Sequence, residues 1–173
     1  MKTTLAGLGV IQMGKELTVS ATARNFPFKA RSLIQAMLAV NNLRYSASRH
    51  MTERFVVDVA SWLNNEKITN IPNKKYKGKS GYVYKFDFVI PKSNLKAERL
   101  LDAIFSPKKS IVESIIFKWT DAIKARPRDS KYFIFINDAS RQDSKQIIKA
   151  FQSYGIAAFL WSQRMKARDE LAA

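Results

Sequence analysis

A single carboxylate, Asp87, stands inside the run Tyr82-Val-Tyr-Lys-Phe-Asp-Phe-Val-Ile90, just after a stretch that carries Lys74, Lys75, Lys77 and Lys79 within six residues. Ammonium groups at this density neutralise phosphates, a task that requires no reading of bases. Gly78 and Gly81 let backbone N–H groups approach the same phosphates, and the rings of Tyr76 and Tyr82 can stack on bases. Lys85 extends the basic set, as do Lys108, Lys109 and the clusters at 124–131 and 164–168.

Each of these residues also has a plainer reading. A lysine run is commonly a solvated loop, and aromatic residues at alternate strand positions are commonly core. Asp87 serves either as a metal or catalytic carboxylate or as the partner of Lys85 or an arginine on a half-buried face, because a buried carboxylate needs some partner. Asp138 and Asp143 read as helix-capping or loop acids, Glu53 as a first-turn glutamate, and His50 as a loop histidine. Trp62, Trp119 and Trp161 are expected in the core.

The elements that must position these groups follow from periodicity. Residues 8–23 read as a β-hairpin with its turn at Met13-Gly14-Lys15. Two helices are expected over 28–43 and 52–65, the second capped by Thr52. The linker between them carries Arg44, Arg49, His50 and Arg54, of which Arg49 and Arg54 join the candidate phosphate contacts. A hairpin or two strands span 74–90, with Tyr82, Tyr84, Phe86, Phe88 and Ile90 on one face and Lys85 and Asp87 on the other. A short helix capped by Asn94 should bury Leu95, Leu101, Ile104 and Phe105. The segment 110–126 fits either a strand or a helix. Ser110 and Glu113 form a capping box and Pro127 a stop, so the helix is preferred. The last third reads as a β-α-β unit with parallel strands at 132–136 and 156–161 around a helix at 144–153, then a basic tail over 162–173.

Composition bounds the whole. The 173 residues are 46% hydrophobic and 25% charged, the proportions of a folding chain, and one domain over 1–173 is expected. Thirty Lys and Arg against 14 Asp and Glu give a net charge of +16, which predicts an anionic partner. There is no cysteine and one histidine, so a metal could sit only among carboxylates. No apolar run suits a membrane span or a leader peptide, and the chain reads as soluble and cytoplasmic, with no membrane partner.

On Leu33-Ile-Gln-Ala-Met-Leu38, Lys77-Gly-Lys-Ser-Gly81, Phe86-Asp-Phe-Val-Ile-Pro-Lys92, Glu113-Ser-Ile-Ile-Phe117, Phe135-Ile-Asn-Asp138 and Ser153-Tyr-Gly-Ile156 the chain resembles an uncharacterised bacterial and prophage domain family, usually the C-terminal part of longer two-domain proteins. More distantly, the order of elements is similar to the α-β-β-β-α-β core of PD-(D/E)XK restriction-endonuclease-like nucleases, with two helices inserted before the third strand. That likeness implies an α/β (or α+β) fold, with a central mixed sheet flanked by helices. It also implies an acid on the second strand and an (Asp/Glu)-X-Lys on the third, which together bind magnesium and activate water. Asp87 fits the first position. Neither Phe133-Ile-Phe-Ile136 nor Ser114-Ile-Ile-Phe-Lys-Trp119 completes the third, although the latter would place Lys118 in the lysine slot.

The expectation is therefore a nucleic-acid-binding protein of phage or mobile-element origin, on a nuclease-like scaffold with a degenerate metal site and no cofactor. Two alternatives stand beside it. One is an active magnesium-dependent nuclease using Asp87 with Glu113 or Asp138 and Lys118. The other is an inhibitor of the counter-defence, anti-CRISPR or antitoxin kind, whose basic face blocks a larger protein or ribonucleoprotein. Oligomeric state is left open.

Overall fold

No glycine and no proline lies between residues 28 and 65, and the computed structural model carries one uninterrupted helix there, α1 (Phe26–Asn65), where two were expected. The apolar pattern lapses over 41–50 because that segment is exposed on every side, not because the helix stops, and Thr52 is an interior residue with no capping role. The structure describes residues 5, 7–127, 129–139 and 144–172; Asp143, expected as a capping or loop acid, lies outside them.

The chain divides into two compact units, residues 1–50 and 51–173, and α1 contributes to both. In the first, β1 (Ile11–Met13) and β2 (Glu16–Thr18) form the expected antiparallel hairpin. A small core of Leu5, Val10 and Ala36, with Leu33 and Val40 against it, joins this unit's helix to its hairpin.

The second unit holds a five-stranded mixed sheet flanked by four helices, an α/β arrangement as expected. Its strands are β3 (Ile71–Pro72), β6 (Phe88–Ile90), β7 (Arg99–Ile104), β8 (Lys131–Ile136) and β9 (Ile156–Leu160), in that spatial order. β3, β6 and β7 are antiparallel; β7, β8 and β9 are parallel. The strand β7 occupies the place of the short helix expected around 95–105. All six of its residues are buried, because it lies mid-sheet with helices over both faces. Such a strand shows no alternation, and Leu101, Ile104 and Phe105 imitate helical spacing.

One face of the sheet is covered by α2 (Lys109–Ala122) and α3 (Ser144–Gln152), the other by the end of α1 and by α4 (Met165–Leu171). The helix preferred over 110–126 is present, ending in a 3₁₀ turn at Ile123–Ala125, but its N-cap is Lys108 with no side-chain cap bond. Ser110 lies inside the first turn, so the expected capping box does not form. The β-α-β unit stands as expected, β8 parallel to β9 around α3. Trp62 and Trp119 are buried, and Trp161 packs edge-on against Trp62 and Phe55.

A second pair of strands, β4 (Lys75–Lys77) and β5 (Val83–Lys85), pairs apart from the main sheet. Its register continues that of β3 and β6: Ile71 faces Val89, Lys75 faces Lys85 and Lys77 faces Val83. Between the two, Asn73 N donates to Asp87 O and Phe86 N to Lys74 O, each at 2.9 Å. A single ribbon thus bends at residues 73 and 87, where Asn73 takes φ +56°. The bend corrects the expected one-faced strand over 82–90: Tyr84 and Phe86 pack under α2, whereas Phe88 and Ile90 face the opposite core.

A candidate nucleic-acid interface above a buried acid pair

Alternation along β4 and β5 turns Tyr76 and Tyr84 toward the core under α2, which leaves Lys75, Lys77, Val83 and Lys85 on the outer face, all exposed. Lys75 stands directly opposite Lys85. Like charges placed so destabilise a hairpin, and no described carboxylate forms an ion pair with either one. Lys79 at the tip is also exposed, while Lys74 is half-buried, 5.4 Å from the Tyr76 ring.

Two acids that sequence reasoning did not single out hold this ribbon down. Asp121, on α2, accepts from Ser80 N at 2.9 Å, Ser80 Oγ at 2.6 Å and Tyr84 Oη at 3.0 Å. Those bonds, the Ser80 hydroxyl first, hold its carboxyl below the usual range. The contact is close enough that a Cβ on Gly78 would lie 2.1 Å from Asp121 Oδ2. Farther down, Glu98 accepts two-pronged bonds from Arg126 and one at 2.8 Å from Tyr76 Oη. The Arg126 guanidinium lies 3.8 Å from the Tyr76 ring. Burial, then the Glu98 carboxylate, pushes the Tyr76 phenol up to about 12. Tyr76 is thereby committed to the fold, and Tyr82, 67% exposed, remains the ring open to a partner.

Beneath the ribbon, Asp87 meets a second acid that was also missed, Asp102 on β7. The ladder of β6 and β7 stops at Phe88 and Leu101, and side chains take it one step further. Asp87 N donates to Asp102 Oδ1 at 2.8 Å, and Ala103 N donates to Asp87 Oδ2 at 2.9 Å. Lys118 Nζ and Tyr132 Oη both bond Asp102 Oδ2, and Lys118 Nζ lies 3.9 Å from the Phe86 ring centre. Burial raises the Asp87 pKa, the Asp102 charge adds to this, and the Ala103 N–H and the Lys118 and Lys85 ammoniums oppose it. Burial foremost, and then Asp102, raises the Tyr132 phenol well above its ordinary value. The signal for Asp102 was present in the sequence: it is the lone acid in the apolar run 100–105, as Asp87 is in 82–90.

Of the expected site residues, the structure brings together Asp87 and Lys118. The expected partner Lys85 keeps its ammonium exposed and offers Lys118 only its backbone carbonyl. Glu113 is exposed on α2 and pairs with Lys109 at 3.8 Å. Asp138, expected as a helix-capping or loop acid, accepts from Ser162 N at 3.1 Å and from the Ser162 hydroxyl, tying the end of β8 to the turn after β9. Lys108 and Lys109 begin α2, whereas the ribbon tip docks near its other end at Asp121. Arg54 lies on α1, which covers the opposite face of the sheet, and Arg49 belongs to the first unit.

A magnesium ion takes hard oxygen ligands, usually one or two carboxylates and several waters. Here both Asp102 oxygens are engaged by donors and one Asp87 oxygen is held by Ala103 N. Among the described residues no group of three metal-binding side chains forms. Of the four carboxylate oxygens in the pair, Asp87 Oδ1 alone has no donor among the described residues. Among the described residues, too, no helix is long and apolar enough to cross a membrane. No curated protein matches the chain. Residues 78–164, just over half of it and spanning the ribbon tip, the acid pair and the β-α-β unit, match the model of the domain of unknown function DUF1829, and the chain belongs to that family.

Proposed function

We propose that this protein binds nucleic acid through the outer face of the β4–β5 ribbon, contacting phosphates without reading sequence, on a nuclease-type core whose carboxylate pair has become structural. The observation that carries the reading is Lys75 opposite Lys85, with Lys77 beside them. These are three exposed ammoniums on a ribbon clamped from below, a costly arrangement that an anionic ligand relieves. Lysine is a point charge with no bidentate fork, which suits phosphate oxygens better than base edges.

The scaffold part of the proposal rests on element order. The end of α1, the meander through β7, α2, and β8 parallel to β7 follow the α-β-β-β-α-β sequence, with Asp87 at the second strand and Asp102 on the third. Asp102-Ala-Ile104 has isoleucine where that pattern wants lysine, and Lys118 reaches the acid from α2 instead. A phage or mobile-element setting rests on the sequence resemblance alone.

Fluorescence anisotropy with labelled DNA and RNA oligonucleotides over a salt series tests the binding. Four lysines, Lys75, Lys77, Lys79 and Lys85, predict a log–log slope of about −2.8 to −3.6, at roughly 0.7 to 0.9 per neutralised phosphate. Lys75→Ala and Lys85→Ala should each lessen the slope by about 1 and weaken all sequences alike. The same substitutions should leave stability unchanged or raise it by up to ~1 kcal/mol, since the opposed charges are gone. Binding that ignores salt, or a slope untouched in both variants, sinks the proposal. Magnesium-dependent cleavage lost in Asp87→Ala would replace it with the nuclease reading, and a protein retained after nuclease treatment would replace it with the inhibitor reading.

A further inference from the structure

The first unit carries a surface that nucleic-acid binding does not use. Ile34, Met37, Leu38 and Tyr45 recur at helical spacing along α1, and each is more than half exposed. They do not belong to that unit's small core, which takes Leu33, Ala36 and Val40; Met37 lies at the border between the two, one turn from Leu33 and Val40. Ile11 and Met13 on β1 are also mostly exposed, on the hairpin face away from Gln12 and Leu17. An exposed apolar stripe like that on the helix marks an interaction site.

Beside the stripe, the hairpin and the helix enclose a groove of about 250 Å³. It is lined by the apolar Leu17, Met37 and Val40 and by the polar Gln12, Lys15, Asn41 and Arg44. No carboxylate lines it, and the sequence holds no acidic residue between Glu16 and Glu53 while it holds Arg24, Lys29, Arg31, Arg44 and Arg49. Neither Lys15 nor Arg44 forms an ion pair with a described residue.

We infer that this groove is a docking site for a short segment of a partner protein, one that inserts a large apolar side chain between hairpin and helix and flanks it with aspartate or glutamate for Lys15 and Arg44. Charge decides the sign of the partner. Three apolar side chains beside two unopposed cations favour an acidic amphipathic segment, which sets its anchors against the former and its carboxylates against the latter. A bilayer is disfavoured because the amides of Gln12 and Asn41 share the lining and would lose their hydrogen-bond partners against acyl chains. A second copy is disfavoured because it would bring the same cations to the same rim.

The test uses the full chain and a fluorescent peptide that repeats leucine and phenylalanine anchors flanked by glutamates, against the same peptide with lysines for the glutamates. The acidic peptide should bind with salt-sensitive affinity at least tenfold above the lysine peptide. Arg44→Glu and Met37→Asp should each weaken it by about tenfold or more. Both positions are exposed, so an unchanged circular dichroism melt shows that the fold survives. Lys75→Glu, on the ribbon, should leave peptide affinity unchanged. Equal binding of the two peptides, or an Arg44→Glu variant that binds as the parent does, overturns the inference. So do displacement of the peptide by phosphatidylserine vesicles, which would make the surface a lipid site, and a concentration-dependent dimer abolished by Met37→Asp, which would make it a self-association face.

Discussion

The side chains of Lys118 and Asp102 are only 13% and 10% exposed, so neither charge can be removed without stranding the other. Lys118→Ala should therefore destabilise by about 3–5 kcal/mol, far beyond the cost of losing an exposed ion pair, as measured by urea unfolding. Asp87 behaves in the opposite sense. Its folded pKa lies above the unfolded value of 3.8, so the folded state holds the proton more tightly. The stability this contributes is full below the unfolded value and is lost as pH rises through the folded one. Asp87→Asn keeps an oxygen for the Ala103 N–H and removes the loss. It should be more stable than the parent at pH 7, with the gap closing toward pH 3, as read by urea unfolding at both values. A variant equally stable at both pH values would show that the Asp102 charge and burial do not act on Asp87. Asp87 itself was legible from the sequence as an acid in a half-buried strand, but its partner was not. Asp102 was hidden by the reading of its strand as a helix, and a cross-strand pair cannot be seen until both strands are assigned.

At the scale of elements, the ribbon is held by what lies under it. Gly78→Ala would drive a methyl group into Asp121 and Tyr84, so the tip must lift from α2 or the helix must yield. A loss of about 1–3 kcal/mol is expected, with faster hydrogen exchange at Gly78 and Ser80, whose amides bond Tyr82 O and Asp121. Because the lysines would no longer be pre-positioned, nucleic-acid affinity should fall in the same variant without any change of charge. Glycines 78 and 81 were read as letting backbone N–H groups approach phosphates; Gly81, at φ +92°, takes the left-handed region, and Gly78 is needed for clearance under Asp121. Elsewhere the elements were legible where turn and stop signals bounded them. The β-α-β unit, with its buried aromatic strand and the Gly155 stop, and the N-terminal hairpin, with its turn at Gly14, were recognised. The long helix and β7 were not, one because its middle is wet on all sides and the other because it is dry on both.

For the whole molecule, 30 cations against 14 anions repel one another in every state, and more so when compact. Folding stability should consequently rise as salt is raised from low values to about 0.15 M, where the Debye length is near 8 Å, while nucleic-acid affinity falls over the same range. Thermal melts and anisotropy on one salt series would read both, and parallel movement of the two would count against an electrostatic origin. The excess charge was legible from composition. Its distribution was not, because Arg126, Arg168 and Lys118 are spent on internal carboxylates while the ribbon lysines are not. The candidate surface is thus smaller than the lysine and arginine count suggests, and of its lysines Lys79 and Lys85 lie within the stretch that the family model covers while Lys75 and Lys77 precede it.

Where β6 meets β7, two amide protons, those of Asp87 and Ala103, end on carboxylate oxygens instead of carbonyls. Bonds of that kind are shorter and more polarised than the rest of the ladder. In a proton–nitrogen correlation spectrum these two resonances should sit apart from their neighbours and move together as the acid pair takes up a proton. The seam carries its own pair of indicators, placed directly under the bend of the ribbon, and a ligand that tugs on the lysines would be visible there without any label.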